Sequence, residues 1–372
     1  MNQIFKINPV KINPVHTFAK KNYQGLICLD PFMGVSINLN GDVGLCSCIY
    51  WHPTIVGNIL ENTLEEILHS ELAHKIRNSI RQGTYEYCDE SRCGIIINDR
   101  LTPLELIDRT DRHDNLPSTY ERVTQADVVD MPRYFYIAGD QICNLSCPSC
   151  RTSVITEDDE RKTVHAQVME TLNQQAFGGS DPRPITVYVS SSGELFASPL
   201  TLNFLENFPL DRYPRTEFNF QSNGLLFKKR WHRIEHLQHN IFNVAITADS
   251  SRPDVYAKLR RGGKLEDLKE SLEFVATLRE KLNFKLSLRI IVQKDNADEI
   301  EEFFDFAAQY NVTDVEYQRI AFWQQAFDKY DEFVEVDVLE PSHRMYQSTI
   351  DALRRVKNKH GDRVVFYHFN LP

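Results

Sequence analysis

No run in this chain is long and apolar enough to span a bilayer, and the N-terminus, Met1-Asn2-Gln3-Ile4-Phe5-Lys6, lacks the apolar core of a signal peptide. Positive charge is also short. Lys and Arg total 42 against 52 Asp and Glu, a net charge of −10, which argues against broad electrostatic binding to nucleic acid or to an anionic membrane. Long repeats are missing: Lys-Ile-Asn-Pro-Val occurs twice within residues 6–15, and two copies are too few for a repeat fold. What is present is an ordinary globular balance, 42% hydrophobic and 25% charged residues. The 372 residues leave room for one large or two ordinary domains. Of eight cysteines, seven fall in two close pairs and one triad. That clustering suggests metal ligation in a reducing, cytoplasmic compartment rather than disulfides.

The triad is the focus. Cys143, Cys147 and Cys150 stand within eight residues, directly after Tyr134-Phe135-Tyr136-Ile137-Ala138, an aromatic and branched run that reads as a β-strand. Thiolates are soft ligands suited to zinc, copper(I) or iron–sulfur clusters. A structural zinc site closes with four protein ligands, and a cubane cluster has four irons to satisfy. This loop offers three ligands and leaves one position open. A three-thiol zinc knuckle completed by a distant residue is the alternative.

Downstream of Tyr134, apolar strands alternate with amphipathic helices, the pattern of a parallel βαβ sheet. Strands are expected at 134–139, 185–190, 217–222, 241–247, 284–292 and 314–320, with Asn296 as the N-cap of a helix bearing Ile300, Phe303, Phe304 and Ala307. Strands buried on both faces should be almost continuously hydrophobic. Here Asn219, Gln221 and Asn223 share one parity, as do Asn243, Thr247 and Asp249, and Ser287, Arg289 and Gln293. Three polar stripes predict a wet, ligand-holding face. Upstream, Val35 to Cys46 alternates around Asn40-Gly41, a hairpin signal expected to use a primed turn. A helix is expected over 63–82, opened by a Thr63/Glu66 capping box and stopped by Gly83. It leads to Cys88 and Cys93, so hairpin and helix are scaffolding that can bring two cysteine groups together.

The triad spacing resembles the signature of the radical S-adenosylmethionine (SAM) superfamily. The resemblance implies a [4Fe–4S] cluster on Cys143, Cys147 and Cys150, with SAM chelating the fourth iron. Later motifs follow in the family's order. Ser191-Ser192-Gly193-Glu194 resembles its Gly-Gly-Glu motif, implying that Gly193 and Glu194 receive the SAM ammonium. Gln221-Ser222-Asn223-Gly224 resembles the third strand's ending, and implies cofactor contacts from Ser222 and Asn223. The fourth strand and its loop imply that Thr247 and Arg260 hold the SAM carboxylate. Ser149 stands where the family often has an aromatic residue, so the adenine contact is unassigned. Residues 25–97 resemble the SPASM or twitch auxiliary-cluster domain through Cys28, Gly41, Cys46, Gly57-Asn58-Ile59, Leu64-Glu65-Glu66-Ile67, Cys88 and Cys93. This implies a second, auxiliary [4Fe–4S] cluster on Cys28, Cys46, Cys88 and Cys93; a zinc-stapled unit is the alternative. Cys48 is left over and is expected to be a hydrogen donor to a substrate radical, an alternative cluster ligand, or idle.

The implied fold is α/β, a partial (β/α)6 TIM-like barrel preceded by a small α+β SPASM/twitch-like domain. The expected divisions are an irregular arm over 1–24, the auxiliary domain over 25–97, a linker over 98–132, the barrel over 133–320 and an extension over 321–372. The implied reaction is reductive cleavage of SAM and abstraction of a substrate hydrogen atom, with flavodoxin or ferredoxin as reductant. Peptide or protein modification is the favoured outcome, although the short stretch before Cys28 leaves no room there for a separate peptide-recognition domain. A sugar or other small metabolite is the second substrate class. A zinc-stabilised interaction module is the non-enzymatic alternative.

Overall fold

The computed structural model describes residues 22–47, 54–90, 93–111, 116–181, 183–189, 193–323 and 326–371. Cys48, Ser191 and Ser192 lie outside them. The chain divides into two compact units, one of Met1–Ile137, Glu160–Thr186 and Pro209–Arg215, the other of Ala138–Asp159, Val187–Phe208 and Thr216–Pro372. The fold is α/β with mostly parallel strand pairing. No helix among the described residues is long and apolar enough to cross a membrane.

In the first unit, β1 (Leu26–Ile27) pairs antiparallel with β5 (Thr102–Pro103). The hairpin is β2 (Gly34–Ile37) and β3 (Asp42–Gly44), extended by β4 (Gly57–Asn58). Its turn differs from the expected primed type, since Gly41 has φ +87° and Asn40 has no positive φ. The Gly41 N–H donates to the Asn38 carbonyl, and the Asn38 N–H to the Asp42 carbonyl. This is a type I turn closed by a left-handed glycine, the other common hairpin solution. A second finding has no counterpart in the sequence signals. β2 pairs in parallel with β6 (Tyr134–Ile137), Gly34 beside Tyr134 and Ile37 beside Ile137, so the hairpin adds directly to the strand that precedes the triad.

The expected helix over 63–82 is two helices. The Thr63/Glu66 capping box opens Leu64–Leu68, and Ser70 then caps a new helix, Glu71–Arg81, by accepting from the Ala73 N–H. Ser hydroxyls favour caps over helix interiors, and here that preference divides one apolar stripe between two axes. Residues 98–132, expected as a linker, contribute Leu101, Ile107 and Val123 to the core cluster that contains Cys28 and Tyr85.

The second unit holds the sheet order β12-β11-β10-β9-β8, where β8 is Thr216–Ser222, β9 Ile241–Thr247, β10 Lys285–Val292, β11 Asp314–Arg319 and β12 Val364–Tyr367, together with the last three residues of β7 (Ile185–Val189). The pairings β8–β9, β9–β10, β10–β11 and β11–β12 are parallel. Register puts Asn219 beside Asn243, Ala245 beside Ser287, and Thr247 beside Arg289, which in turn lies beside Glu316. Laterally paired residues share a sheet face, so the polar stripes of three strands merge on one side. The opposite side carries Phe218, Phe220, Val244, Ile246, Leu286, Leu288, Ile290, Val315 and Tyr317, all buried. Asn296 does not cap the helix Ile300–Ala308, whose N-cap is Glu299 without a side-chain bond. Its amide instead donates to the carbonyls of Asp249 and Ile291, at 2.8 and 2.9 Å.

Candidate functional site

The triad loop leaves β6 through Asp140, a buried carboxylate that accepts from the Ile142 N–H at 2.9 Å and the Ser198 hydroxyl at 2.7 Å. Each triad sulfur then meets an N–H donor. Cys143 Sγ accepts from the Leu145 N–H at 3.4 Å and faces Asn223 Nδ2 at 3.9 Å. Cys147 Sγ accepts from Arg260 Nη1 at 3.6 Å, and Cys150 Sγ from Arg151 Nη2 at 3.5 Å. Burial pushes the Cys143 thiol up to about 11, and raises Cys147 against the opposing charge of Arg260. Buried neutral thiols have little need of donors; sulfurs that carry charge as ligands do. The donor set therefore fits a thiolate-bound iron–sulfur group.

The Gly193-Glu194 turn lies directly against this loop. A Cβ on Gly193 would stand 2.1 Å from the Ile142 carbonyl oxygen, so only glycine permits the approach. The Glu194 N–H donates to that same carbonyl at 2.8 Å. The Glu194 carboxylate is buried and already accepts from Ser222 Oγ and the Asn223 N–H, both at 2.6 Å, and from the Phe196 N–H at 3.2 Å. Burial pushes its carboxyl above the ordinary carboxylate range, against the pull of those three donors. A carboxylate has about four acceptor positions, so Glu194 ties the end of β8 to the turn and keeps about one position for a further donor. Asn223 extends the connection, its Nδ2 donating to Asn144 Oδ1 at 2.9 Å. Gly193, Glu194 and Asn223 thus lie against the triad loop, and Ser222 is joined to it through Glu194.

Thr247 and Arg260 are also buried. Thr247 sits on the polar face beside Arg289. Arg260, expected to hold a carboxylate of SAM, has internal partners: Cys147, and Asp249, whose Oδ2 is 2.9 Å from Nε. That contact is charge against charge without an aligned hydrogen bond, and both atoms lack a hydrogen-bond partner among the described residues. The two opposite charges are each other's partner, which is what makes burying both of them tolerable. Further along the polar face, Arg289 pairs with Glu316 at 2.6 Å and lies 5.3 Å over the Tyr367 ring.

In the first unit, Cys28, Cys46, Cys88 and Cys93 line one cavity, together with Leu45, Tyr85, Ile95 and Ile96. Tyr85 organises it. Its hydroxyl donates to the Leu26 carbonyl at 2.7 Å and accepts from the Cys28 N–H at 3.0 Å, while its carbonyl accepts from the Cys88 N–H at 3.0 Å. Cys46 is set by Ser36 Oγ, 2.7 Å from its carbonyl, and by Ser47, whose hydroxyl donates to Asp30 at 2.7 Å. Burial pushes the Cys28 thiol well up. Four thiols around one cavity fit a fully ligated cluster. Among the described residues no three His, Cys, Asp or Glu side chains close around a single metal ion. The sequence reading did not find Asp140, Arg151, Tyr85 or Asp30. Asp249 it noted only as part of a polar stripe.

A model of SPASM, an iron–sulfur cluster-binding domain, matches residues 28–94. The GTP 3′,8-cyclase of Alkaliphilus metalliredigens is 27% identical over 173 residues, 46% of this chain and 51% of that protein; the chain thus matches about half the length of that curated relative. Among solved structures, Streptococcus suis SuiB bound to precursor peptide SuiA is 13% identical, covering 92% of this chain and 71% of that one, with a TM-score of 0.43. Native anSMEcpe with bound AdoMet and Kp18Cys peptide is 14% identical, covering 63% of each chain, with a TM-score of 0.40. The matched SPASM domain and the cyclase relative accord with the radical SAM resemblance carried by the ordered motifs around the triad.

Proposed function

We propose that this chain is a radical SAM enzyme with two [4Fe–4S] clusters, one open to SAM on Cys143, Cys147 and Cys150, the other closed by Cys28, Cys46, Cys88 and Cys93. The observation that carries the reading is the contrast in ligand count: three donor-supported sulfurs on one loop, four sulfurs around one cavity. When bound and reduced, the first cluster supplies one-electron cleavage of SAM to a 5′-deoxyadenosyl radical that takes a hydrogen atom from the substrate. The chain's own residues orient and seal. Gly193 lets the turn approach the triad, Glu194 offers its remaining acceptor position to the SAM ammonium, and Thr247 lies on the polar face beneath.

In this reading the strands β6 to β11 form the partial (β/α)6 barrel, residues 25–97 the auxiliary domain before it, and 321–372 an extension. The polar face with Arg289, Glu316 and Tyr367 meets the substrate. We favour a peptide or protein substrate, modified by crosslinking, thioether formation or epimerisation, in the cytoplasm and with a flavodoxin- or ferredoxin-type reductant. The cyclase relative favours the second reading, a small-molecule substrate. Anaerobic reconstitution tests the proposal: it predicts a brown, oxygen-sensitive protein that forms 5′-deoxyadenosine under reduction. Bound zinc, no colour and no deoxyadenosine would overturn it.

A further inference from the structure

We propose that Arg260, held by Asp249, raises the reduction potential of the triad-bound iron–sulfur group by placing a permanent positive charge on the Cys147 sulfur. The inference rests on the radical SAM reading above and assigns Arg260 a duty other than binding the SAM carboxylate.

Three observations carry it. First, Nη1 of Arg260 donates to Cys147 Sγ at 3.6 Å, from a side chain that is 11% exposed. A guanidinium stays protonated at any ordinary pH, and its charge acts strongly where water is excluded. Second, Asp249 is fixed in an uncommon conformation beside it. Its φ is +64°, the left-handed region that few non-glycine residues adopt. The conformation is held from three sides: the Ile291 N–H donates to Oδ1 at 2.8 Å, Asn296 Nδ2 donates to the carbonyl at 2.8 Å, and Arg260 Nε lies 2.9 Å from Oδ2. Backbone strain persists where the surroundings over-determine it, and it gathers at functional positions. Third, Arg260 closes a short loop onto the triad, since the next residue's carbonyl accepts the Ser146 N–H at 3.0 Å and Arg261 Nε donates to Ser146 Oγ at 3.0 Å. The guanidinium is therefore set on the sulfur from both ends.

Cluster potentials respond to net charge and to hydrogen bonds on the ligand sulfurs. Reduction adds a negative charge, so a nearby cation favours the reduced form. Asp249 partly offsets that cation while aiming it. The two residues should therefore act with opposite sign, which general damage to the site would not do.

The test is a redox titration of the reconstituted full chain, followed by electron paramagnetic resonance without SAM. The triad signal is identified as the one that changes when SAM is later added. Arg260→Gln should lower its potential by about the equivalent of a tenfold change in reduction equilibrium, ~59 mV for one electron. Arg260→Lys should fall between the two, and Asp249→Asn, which keeps an oxygen for the Ile291 N–H, should raise it. An unchanged potential in Arg260→Gln, with SAM affinity weakened, would overturn the proposal in favour of a carboxylate clamp alone. If Arg260→Gln holds no iron, Asp249→Asn decides: a rise supports the proposal, and no change or a fall overturns it. Absence of iron from the wild-type chain would overturn the radical SAM reading itself, a result distinguishable from all of these.

Discussion

The triad loop and the four-cysteine cavity solve the problem of holding buried sulfur in different ways. Around Cys143, Cys147 and Cys150, two arginines and two amide groups point N–H donors at the sulfurs. Around Cys28, Cys46, Cys88 and Cys93 the walls include Leu45, Ile76, Ile95 and Ile96, and the cysteines are aimed through backbone contacts with Tyr85 and Ser36. The first site is wired for charge and presents three sulfurs. The second is apolar and has four. The difference teaches which site is suited to change its charge during a reaction and which to hold a closed group in place.

The largest effect separates the two by iron content. The intact chain should hold about eight irons, four per cubane cluster. Replacing Cys143, Cys147 and Cys150 by Ala should remove about half, and replacing the four cavity cysteines the other half. Colorimetric iron assay after anaerobic reconstitution checks both; loss of all iron from either variant would mean that the sites are not independent. Next comes Gly193→Ala. Its Cβ would lie 2.1 Å from the Ile142 carbonyl oxygen, and overpacking of this kind costs about 1–3 kcal/mol. The triad loop must move, so chemical denaturation should show that loss while the four-cysteine cluster stays loaded.

Glu194 gives a smaller and more selective effect. Glu194→Gln keeps an acceptor oxygen for the β8 end, so isothermal titration should show SAM affinity reduced about tenfold or more, as loss of a charge-assisted contact of about 1.5–3 kcal/mol requires. Glu194→Ala additionally strands the Ser222 hydroxyl and the Asn223 and Phe196 N–H groups, and should lower the denaturation midpoint as well. Equal SAM affinity in Glu194→Gln and wild type would remove the carboxylate from the site.

The smallest expected effect is on pH dependence without iron. Burial raises the folded Cys143 thiol to about 11, above its unfolded value near 8.5. The folded state then holds the proton longer than the unfolded one, so this stabilisation is present below pH 8.5 and is lost as pH rises toward 11. The thermal midpoint of the iron-free chain should fall over that window, and fall less in Cys143→Ala. An identical decline in both would reject the contribution.

Much of this was legible in the residues, because it depends on local pattern. Alternation and turn chemistry located β6 to β11 within one or two residues, and the Thr63/Glu66 box marked its helix. The polar parity of β8, β9 and β10 anticipated the merged face that register produces. What the sequence hid depends on distant partners. Nothing local says that β2 pairs with β6, that Asn296 serves the Asp249 carbonyl instead of a helix, or that Arg260 finds a thiol sulfur. The Ser70 cap was readable and was masked by a continuous apolar stripe.

The central claim is that three sulfurs leave an iron open to SAM while four leave none. Electron paramagnetic resonance of the reduced, fully reconstituted chain, with and without SAM, tests it most directly. Two signals are predicted, of which the one lost in the Cys143/Cys147/Cys150→Ala variant changes on addition of SAM and the other does not. A SAM response from the signal that survives in that variant, or from neither signal, would contradict the account.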